Sequence, residues 1–230
     1  MKLSIIISTY NEMAHGYFQK IHREISGIPN AETIIVDGGS QDNTTPYAKE
    51  CGAKVISLPK STRGTRLHVG AQQSTGKLLL FHHPRTYIKK ADIVHLITHK
   101  KTLTWGGFTH CFDQDTMMAK FTSWYSNKIR AKKQHILYLD HGIFVNAKLY
   151  EKSGGFPSFP VFEDTELSKR LRRIHKPTLL PKKCLVSAIR FNKNGWVYQG
   201  TLNQLMKLGY TTGIDTKKLY KIYEHGLWLN

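Results

Sequence analysis

The stretch Leu3-Ser4-Ile5-Ile6-Ile7-Ser8-Thr9-Tyr10-Asn11-Glu12 opens with an apolar, β-branched run and breaks off into small polar residues. Nearly unbroken runs of this kind suit strands buried on both faces of a parallel sheet. Residues 3–8 form the first, and residues 33–37, 54–58 and 78–82 repeat the pattern. Between them, residues 17–28, 44–51 and 63–74 read as crossover helices. That alternation predicts an α/β fold with a doubly wound sheet. The second half changes character. Residues 105–112 read as a strand, 115–133 as a longer helix with a basic last turn, and 139–146 as a strand leading into a short helix that ends at Gly154-Gly155. A helix over 163–175 stops before Pro177, 184–191 reads as the last strand, and 197–208 and 216–227 read as amphipathic helices. The sheet is therefore expected to be mixed.

With 40% hydrophobic and 22% charged residues, the 230-residue chain has the composition of a globular protein with a core, which excludes wholesale disorder. No run approaches the ~18 consecutive apolar residues of a membrane span. The run Leu3 to Ile7 is too short and too close to Met1 for a signal peptide, so a cytoplasmic location is expected. There is no internal repeat, low-complexity tract or Gly/Ser-rich linker. One domain over 1–230 is expected, with a first half to about residue 104, a second over about 105–195 and C-terminal helices over 196–230. Cys51, Cys111 and Cys184 lie far apart in no ligand spacing and read as free thiols. The 34 Lys and Arg against 16 Asp and Glu give a formal charge of +18. Such a balance favours polyanionic company: nucleic acid, anionic lipid headgroups or phosphorylated substrates.

Ligands of open parallel sheets bind beyond the carboxyl ends of the strands. After the first strand come Ser8-Thr9-Tyr10-Asn11-Glu12, able to hydrogen-bond a nucleotide. After the second come Asp37-Gly38-Gly39-Ser40-Gln41-Asp42-Asn43-Thr44. There the glycines permit close backbone approach, and Ser40 or Asp42 can cap the next helix. Asp37 could accept from a base or ribose, while an ordinary Gly-rich turn with a helix cap is the plainer alternative. A second acidic group, Glu163-Asp164-Thr165-Glu166, starts a helix whose far end is basic, which suits the helix dipole. Asp164, however, lies three residues before Leu167 on the apolar stripe completed by Leu171 and Ile174. An inward carboxylate is costly unless it has work or a partner.

Taken together, Ser4-Ile-Ile-Ile-Ser-Thr-Tyr-Asn-Glu12, Ile35-Val-Asp-Gly-Gly-Ser-Gln-Asp-Asn-Thr44 and Gly154-Gly-Phe-Pro157 with Phe162-Glu-Asp-Thr-Glu-Leu167 resemble family-2 inverting glycosyltransferases of the A-type fold. Asp140-His-Gly-Ile-Phe-Val145 and Leu208-Gly-Tyr210 with Leu219-Tyr-Lys-Ile-Tyr223 resemble a small bacterial subgroup of about this length. The matches run in the expected order from residue 4 to 223. The resemblance implies a Rossmann-like nucleotide-diphospho-sugar transferase fold with a mixed central sheet. It also implies a nucleotide-sugar donor, guessed as a UDP-sugar, over the first half and an acceptor over the second. By position, Thr9, Tyr10, Glu12, Asp37, Gly39 and Ser40 would hold the nucleotide, and Arg63 would lie near it. Asp164 would be the general base, beside Glu163, with Asp140 at the acceptor end.

The chain departs from the family at one telling point. After the fourth strand the subgroup carries a run resembling His-Ala-Asp-Thr, whose Asp contacts a diphosphate-bound divalent metal such as manganese or magnesium. Here the run is His82-His83-Pro84-Arg85-Thr86, and Arg85 takes the Asp position. Arginine is all donor and cannot ligate a metal. No metal ligand is assigned, and Arg85 is expected instead to contact the leaving diphosphate. Metal held through His82, His83 or Asp113 is one alternative. A degenerate relative that binds nucleotide or another polyanion without turnover is another. His68, where Asn is usual, is a second departure, and His141 and Arg190 are further residues near the expected clefts. Basic clusters occur at Lys100-Lys101 and over 128–133, 169–176 and 217–221. The last lies beside Tyr220, Tyr223, Leu227 and Trp228, which could rest on the anionic inner face of a membrane and meet a lipid-linked acceptor. Packing of Leu219, Ile222, Tyr223 and Leu227 on the core is the plainer alternative. No nucleic-acid motif accompanies the charge, so nucleic acid ranks low among partners.

Overall fold

The computed structural model describes residues 2–99 and 103–225; Lys100, Lys101, Leu227 and Trp228 lie outside them. Strand β1 (Leu3–Thr9) is buried along its whole length, the reason for its nearly unbroken apolar sequence. Helix α1 (Tyr17–Ile25), strand β2 (Ala31–Asp37), helix α2 (Thr44–Glu50), strand β3 (Lys54–Ser57), helix α3 (Arg63–Gln72) and strand β4 (Leu78–Phe81) follow. These four strands are parallel, with β1 between β2 and β4. Strand β5 (Thr86–Ile88) and helix α4 (Lys90–Thr98) come next, and neither was legible in the sequence. A three-residue strand is too short to show a period.

The second half contains β6 (Trp105–Phe112), α5 (Met117–Tyr125), β7 (Ile143–Asn146), α6 (Ala147–Lys152), α7 (Glu163–Arg172), β8 (Thr178–Val186), α8 (Ile189–Asn194), α9 (Trp196–Thr211) and α10 (Thr216–His225). One eight-stranded sheet runs through both halves in the order β3-β2-β1-β4-β7-β6-β8-β5. It is mixed as expected, because β7 runs antiparallel to both β4 and β6.

Three boundaries differ from the sequence reading. The helix expected over 115–133 is α5 continued by a π-helical segment, Ser126–Lys133. The strand expected from residue 139 starts at Ile143, because Leu139–His141 form a 3-10 turn closed by left-handed Gly142. The last strand lies earlier, over Thr178–Val186, and residues 189–194 are helical. The helix is favoured there because it stacks Phe191 on Trp196 at 4.5 Å, both against Phe112.

The core lies on both faces of the sheet. Phe18, Ile21 and Ile25 of α1 cover one face with Ile5 and Ile7, and Leu67 of α3 covers the other with Ile6 and Phe81. Backbones approach closely where β6 meets β8. A Cβ on Gly106 would stand 1.9 Å from the Thr178 carbonyl oxygen. Gly106→Ala should therefore destabilise the fold by about 1–3 kcal/mol, the usual cost of overpacking. A urea unfolding midpoint equal to that of the wild type would show that β8 can simply shift.

Candidate active site

The carboxyl ends of β1, β2 and β4 bring together loops far apart in the chain. At the end of β2, Asp37 accepts from Thr9 Oγ1 at 2.8 Å, Ser40 Oγ at 2.5 Å, Ser40 N at 2.7 Å and Gly39 N at 2.9 Å. A carboxylate has about four acceptor sites, so Asp37 is saturated inside the protein. Burial raises its pKa, but these bonds outweigh burial and leave it below the ordinary value. Its visible work is to shape the loop, which also makes Thr9, Gly39 and Ser40 one unit. Asn11, in the left-handed region at φ 52°, turns the first loop toward the second: its N–H donates to Ser40 Oγ at 2.9 Å, and its Oδ1 accepts from Gln41 N at 2.8 Å. Tyr10 stands exposed at the mouth.

Beyond β4, Arg85 Nε meets Glu12 Oε2 at 3.1 Å. Burial raises the pKa of Glu12, and Arg85 offsets this only in part. Nε is spent on Glu12, while the two terminal guanidinium nitrogens make no further hydrogen bond among the described residues. His83 Nδ1 accepts from the Arg85 N–H at 3.1 Å. Burial and the cations Arg63 and Arg85 hold His83 neutral, with a pKa of about 3. Burial likewise brings His82 to about 4. These residues do not fit a divalent ion. Arg85 offers only donors, His83 Nδ1 is already engaged, and no group of three or more His, Cys, Asp or Glu among the described residues could hold a metal. Asp113 is also occupied, accepting from the Tyr17 hydroxyl and Ala188 N.

Helix α3 begins under Thr62, whose hydroxyl caps it by accepting from Thr65 N. The next residue, Arg63, forms an ion pair with Glu163, whose side chain is fully buried. Gly64 makes this approach of α3 to residues 157–159 feasible, since a Cβ there would lie 2.1 Å from the Pro157 carbonyl oxygen. Although burial alone would lower the pKa of Arg63, Glu163 and Asp164 raise it and keep it charged. One turn on, Arg66 donates to Ser8 Oγ at 2.7 Å and to the Ser61 carbonyl at 2.6 Å. Sequence reasoning passed over Arg66, although its i, i+3 spacing from Arg63 was a usable signal. His68 points elsewhere: its Nδ1 lies 3.0 Å from the Tyr150 hydroxyl, in a cavity of about 510 Å³ that Ala147 and Gly155 also line.

Helix α7 follows Phe162, held in the left-handed region at φ 64°. It presents Asp164, whose Oδ2 accepts from Leu139 N at 3.0 Å and Oδ1 from Thr165 N at 2.7 Å. Burial, then the charge of Glu163, pushes Asp164 up to about 7 against the opposing pull of Arg63. Asp140 behaves in the opposite way. Burial pushes it up, but His110, His141 and Arg130 outweigh burial and keep it below its ordinary value. Its Oδ2 lies 3.6 Å from His110 Nε2, and its Oδ1 is buried without a hydrogen-bond partner. Two carboxylates with pKa values pushed apart are the usual arrangement of an acid–base site. His141 is buried between Ser126 Oγ and the Phe108 carbonyl. Arg130, buried over the Tyr138 ring, was hidden in the sequence among solvated lysines.

The tail closes over this region. Leu219, Ile222 and Tyr223 of α10 pack with Phe162, Leu202 and Met206. Arg190 reaches Glu224 at 3.4 Å and lies over the Tyr223 ring. The part of the tail that is described therefore docks on the core.

The family profile for glycosyl transferase family 2 matches residues 4–151. The chain belongs to this family. A search of curated protein sequences finds no match. Among solved structures, S. aureus TarS 1–349 in complex with UDP-GlcNAc superposes with a TM-score of 0.65 and 17% identity, over 81% of this chain and 58% of that one. The mannosyltransferase PcManGT from Pyrobaculum calidifontis, in complex with GDP-Man and Mn2+, has a TM-score of 0.68 and 14% identity, over 98% of this chain and 68% of that one. Glucosyl-3-phosphoglycerate synthase from Mycobacterium tuberculosis, in complex with phosphoglyceric acid, has a TM-score of 0.55 and 15% identity, over 81% and 70%. At these identities the likeness is one of fold. The match of this family-2 chain covers 58% of the TarS fragment in that complex and 71% of TarS 1–349 in another structure. Among its described residues, no helix is long and apolar enough to cross a membrane.

Removing Arg63 would leave Glu163 buried and unpaired. Breaking a buried pair costs about 3–5 kcal/mol. The Arg63 side chain is 34% exposed, so with screening the expected loss for Arg63→Ala is about 2 kcal/mol. Glu163→Gln should cost less than that. Chemical denaturation checks both, and an unchanged midpoint for Arg63→Ala would show that this pair does not hold α3 to α7.

Proposed function

We propose that this chain transfers a sugar from a nucleoside diphosphate donor to an acceptor hydroxyl, with inversion and with Asp164 as the general base. The observation that carries the reading is the contrast between Asp164, buried and poised near neutrality, and Asp140, kept ionised beside it. The acceptor oxygen bonds to the anomeric carbon while the bond from that carbon to the diphosphate oxygen breaks. The hydroxyl proton passes to the Asp164 carboxylate, and the negative charge leaves on the nucleoside diphosphate. The terminal nitrogens of Arg85 would meet that charge in place of a metal ion, which is the electrostatic assistance such a leaving group needs. Thr9, Tyr10, Glu12, Asp37, Gly39, Ser40 and Arg63 would form the donor side, within residues 1–104. Glu163 would orient Asp164 through its pairing with Arg63, and residues 105–195 would hold the acceptor. UDP-GlcNAc on TarS and GDP-Man on PcManGT support a nucleotide-sugar donor.

Calorimetric titration with UDP and GDP, once in EDTA and once with manganese, tests the donor site. The expected result is binding in EDTA that manganese does not improve, weakened in Arg85→Ala. Binding only with manganese would refute the role given to Arg85. The pairing of Arg85 with Glu12 favours a second reading, a nucleotide binder without turnover, and donor binding with no transfer to any acceptor would establish it.

Asp164 also sets a pH dependence. A base must be deprotonated, so kcat/KM should rise with pH to a plateau, with a midpoint near 7. Asp164→Asn should lower kcat by about 10²–10⁴-fold and leave nucleotide affinity intact. Stability should run the other way. Between the ordinary carboxylate value and about 7 the folded chain keeps a proton that the unfolded chain releases, so Asp164 subtracts stability as pH rises through that window. A pH–rate profile whose rising limb survives in Asp164→Asn would assign the base elsewhere.

A further inference from the structure

Helix α5 is built inside out. It turns its small residues, Ala119 and Ser123, toward the sheet and leaves its large apolar ones in solvent: Met117 is 86% exposed, Phe121 59% and Trp124 50%. These three stand at i, i+4 and i+7, one face of a helix, and the Phe121 and Trp124 rings stack at 5.9 Å. Helix α9 meets α5 at isolated points: Trp196 packs against the apolar cluster that contains Ala119, and Lys207 lies 5.2 Å from the Tyr125 ring. The outer face of α9 adds Val197, 75% exposed, and Leu208, 59% exposed. Core packing does not account for these residues, and exposed large apolar side chains gathered on one helix face beside a polar rim mark an interaction surface.

The rim identifies the occupant. Lys128, Lys132 and Lys133 continue from α5 along the π-helical segment, all exposed and without an ion pair among the described residues. Lys120 is paired with Asp115 at 2.8 Å, the one acidic partner on this rim among the described residues. A second copy of the chain would have to set these lysines against their own counterparts, in a protein of net charge +18, and like charges across an interface oppose association. An anionic bilayer removes that difficulty. Its headgroups attract the lysines, while the aromatic and aliphatic side chains enter the interfacial layer, the two signals that stable peripheral binding needs. We infer that the α5–α9 face seats this protein on an anionic lipid surface. In the described part of the C-terminal helix, Leu219, Ile222 and Tyr223 are turned inward and Tyr220 is exposed.

Lys207 joins this face to the site: it lies 5.2 Å from the Tyr125 ring, and the next residue, Ser126, meets both His141 and Arg130. If sugar transfer is the activity, an extension that rests on that reading, an acceptor hydroxyl carried on a lipid would arrive from the α5–α9 side, next to Asp140.

Co-sedimentation of the full chain with vesicles of phosphatidylcholine, with and without phosphatidylglycerol, tests the surface. Binding is expected only to the anionic vesicles and should be lost at high salt. Phe121→Ser with Trp124→Ser should weaken it by about tenfold or more, as removal of the apolar signal requires. Lys128→Glu with Lys132→Glu should weaken it comparably, and Lys217→Glu should leave it unchanged. Circular dichroism and UDP titration of the same variants establish that they are folded and keep the donor site. Absence of binding by the wild type, or unimpaired binding by the aromatic variant, would overturn the inference. So would a wild-type dimer in light scattering that becomes monomeric in the aromatic variant, since the face would then be a protein interface. Vesicle binding by a chain that takes up no nucleotide would leave the surface standing and remove the donor reading.

Discussion

Much of the site depends on the contact between Arg63 and Glu163. A carboxylate with no exposed surface is sustained only by a partner, and Arg63, at the first turn of α3, supplies it. That one contact joins the parallel half of the sheet to the helix that carries Asp164. It also sets the electrostatics around Asp164, because Glu163 pushes the carboxyl up while Arg63 pulls it back. Gly64 belongs to the same device: without a side chain it lets α3 come close enough to residues 157–159 for the charges to meet.

The strand ends show a second economy of charge. In this member of glycosyl transferase family 2 the position where an acidic residue was expected holds Arg85, and its neighbours engage it. Glu12 faces it at 3.1 Å, and His83 accepts from its backbone N–H. Three arginines, Arg63, Arg66 and Arg85, therefore converge on the carboxyl ends of β1, β2 and β4, and His82 and His83 stay neutral among them. All the charged nitrogens of this basin are donors. Asp37 helps in another way. With its acceptor sites used by Thr9 and by its own loop, it stiffens the cradle in advance of any ligand.

The sequence determined the strands and their order in the first half, because each buried strand must be apolar along its length and each connection must leave a helical or turn signature. It also determined the loops that would gather at the strand ends, through Asp37, the paired glycines and the small polar residues after β1. The inward placing of Asp164 followed from its local period with Leu167 and Leu171, although Ile174, read onto the same stripe, lies past the end of α7 and is exposed. Short or context-dependent elements were not legible. Strand β5 exists because β8 pairs with it, and α8 exists because Phe191 finds Trp196. What only the tertiary structure decided is which charges meet, and therefore which are ionised. Arg63 and Glu163 stand 100 residues apart, the protonation of Asp164 depends on burial and on that pair, and the outward turn of Phe121 and Trp124 depends on how closely α5 packs on β6. Distance and desolvation between remote residues set those outcomes, and no local pattern encodes them.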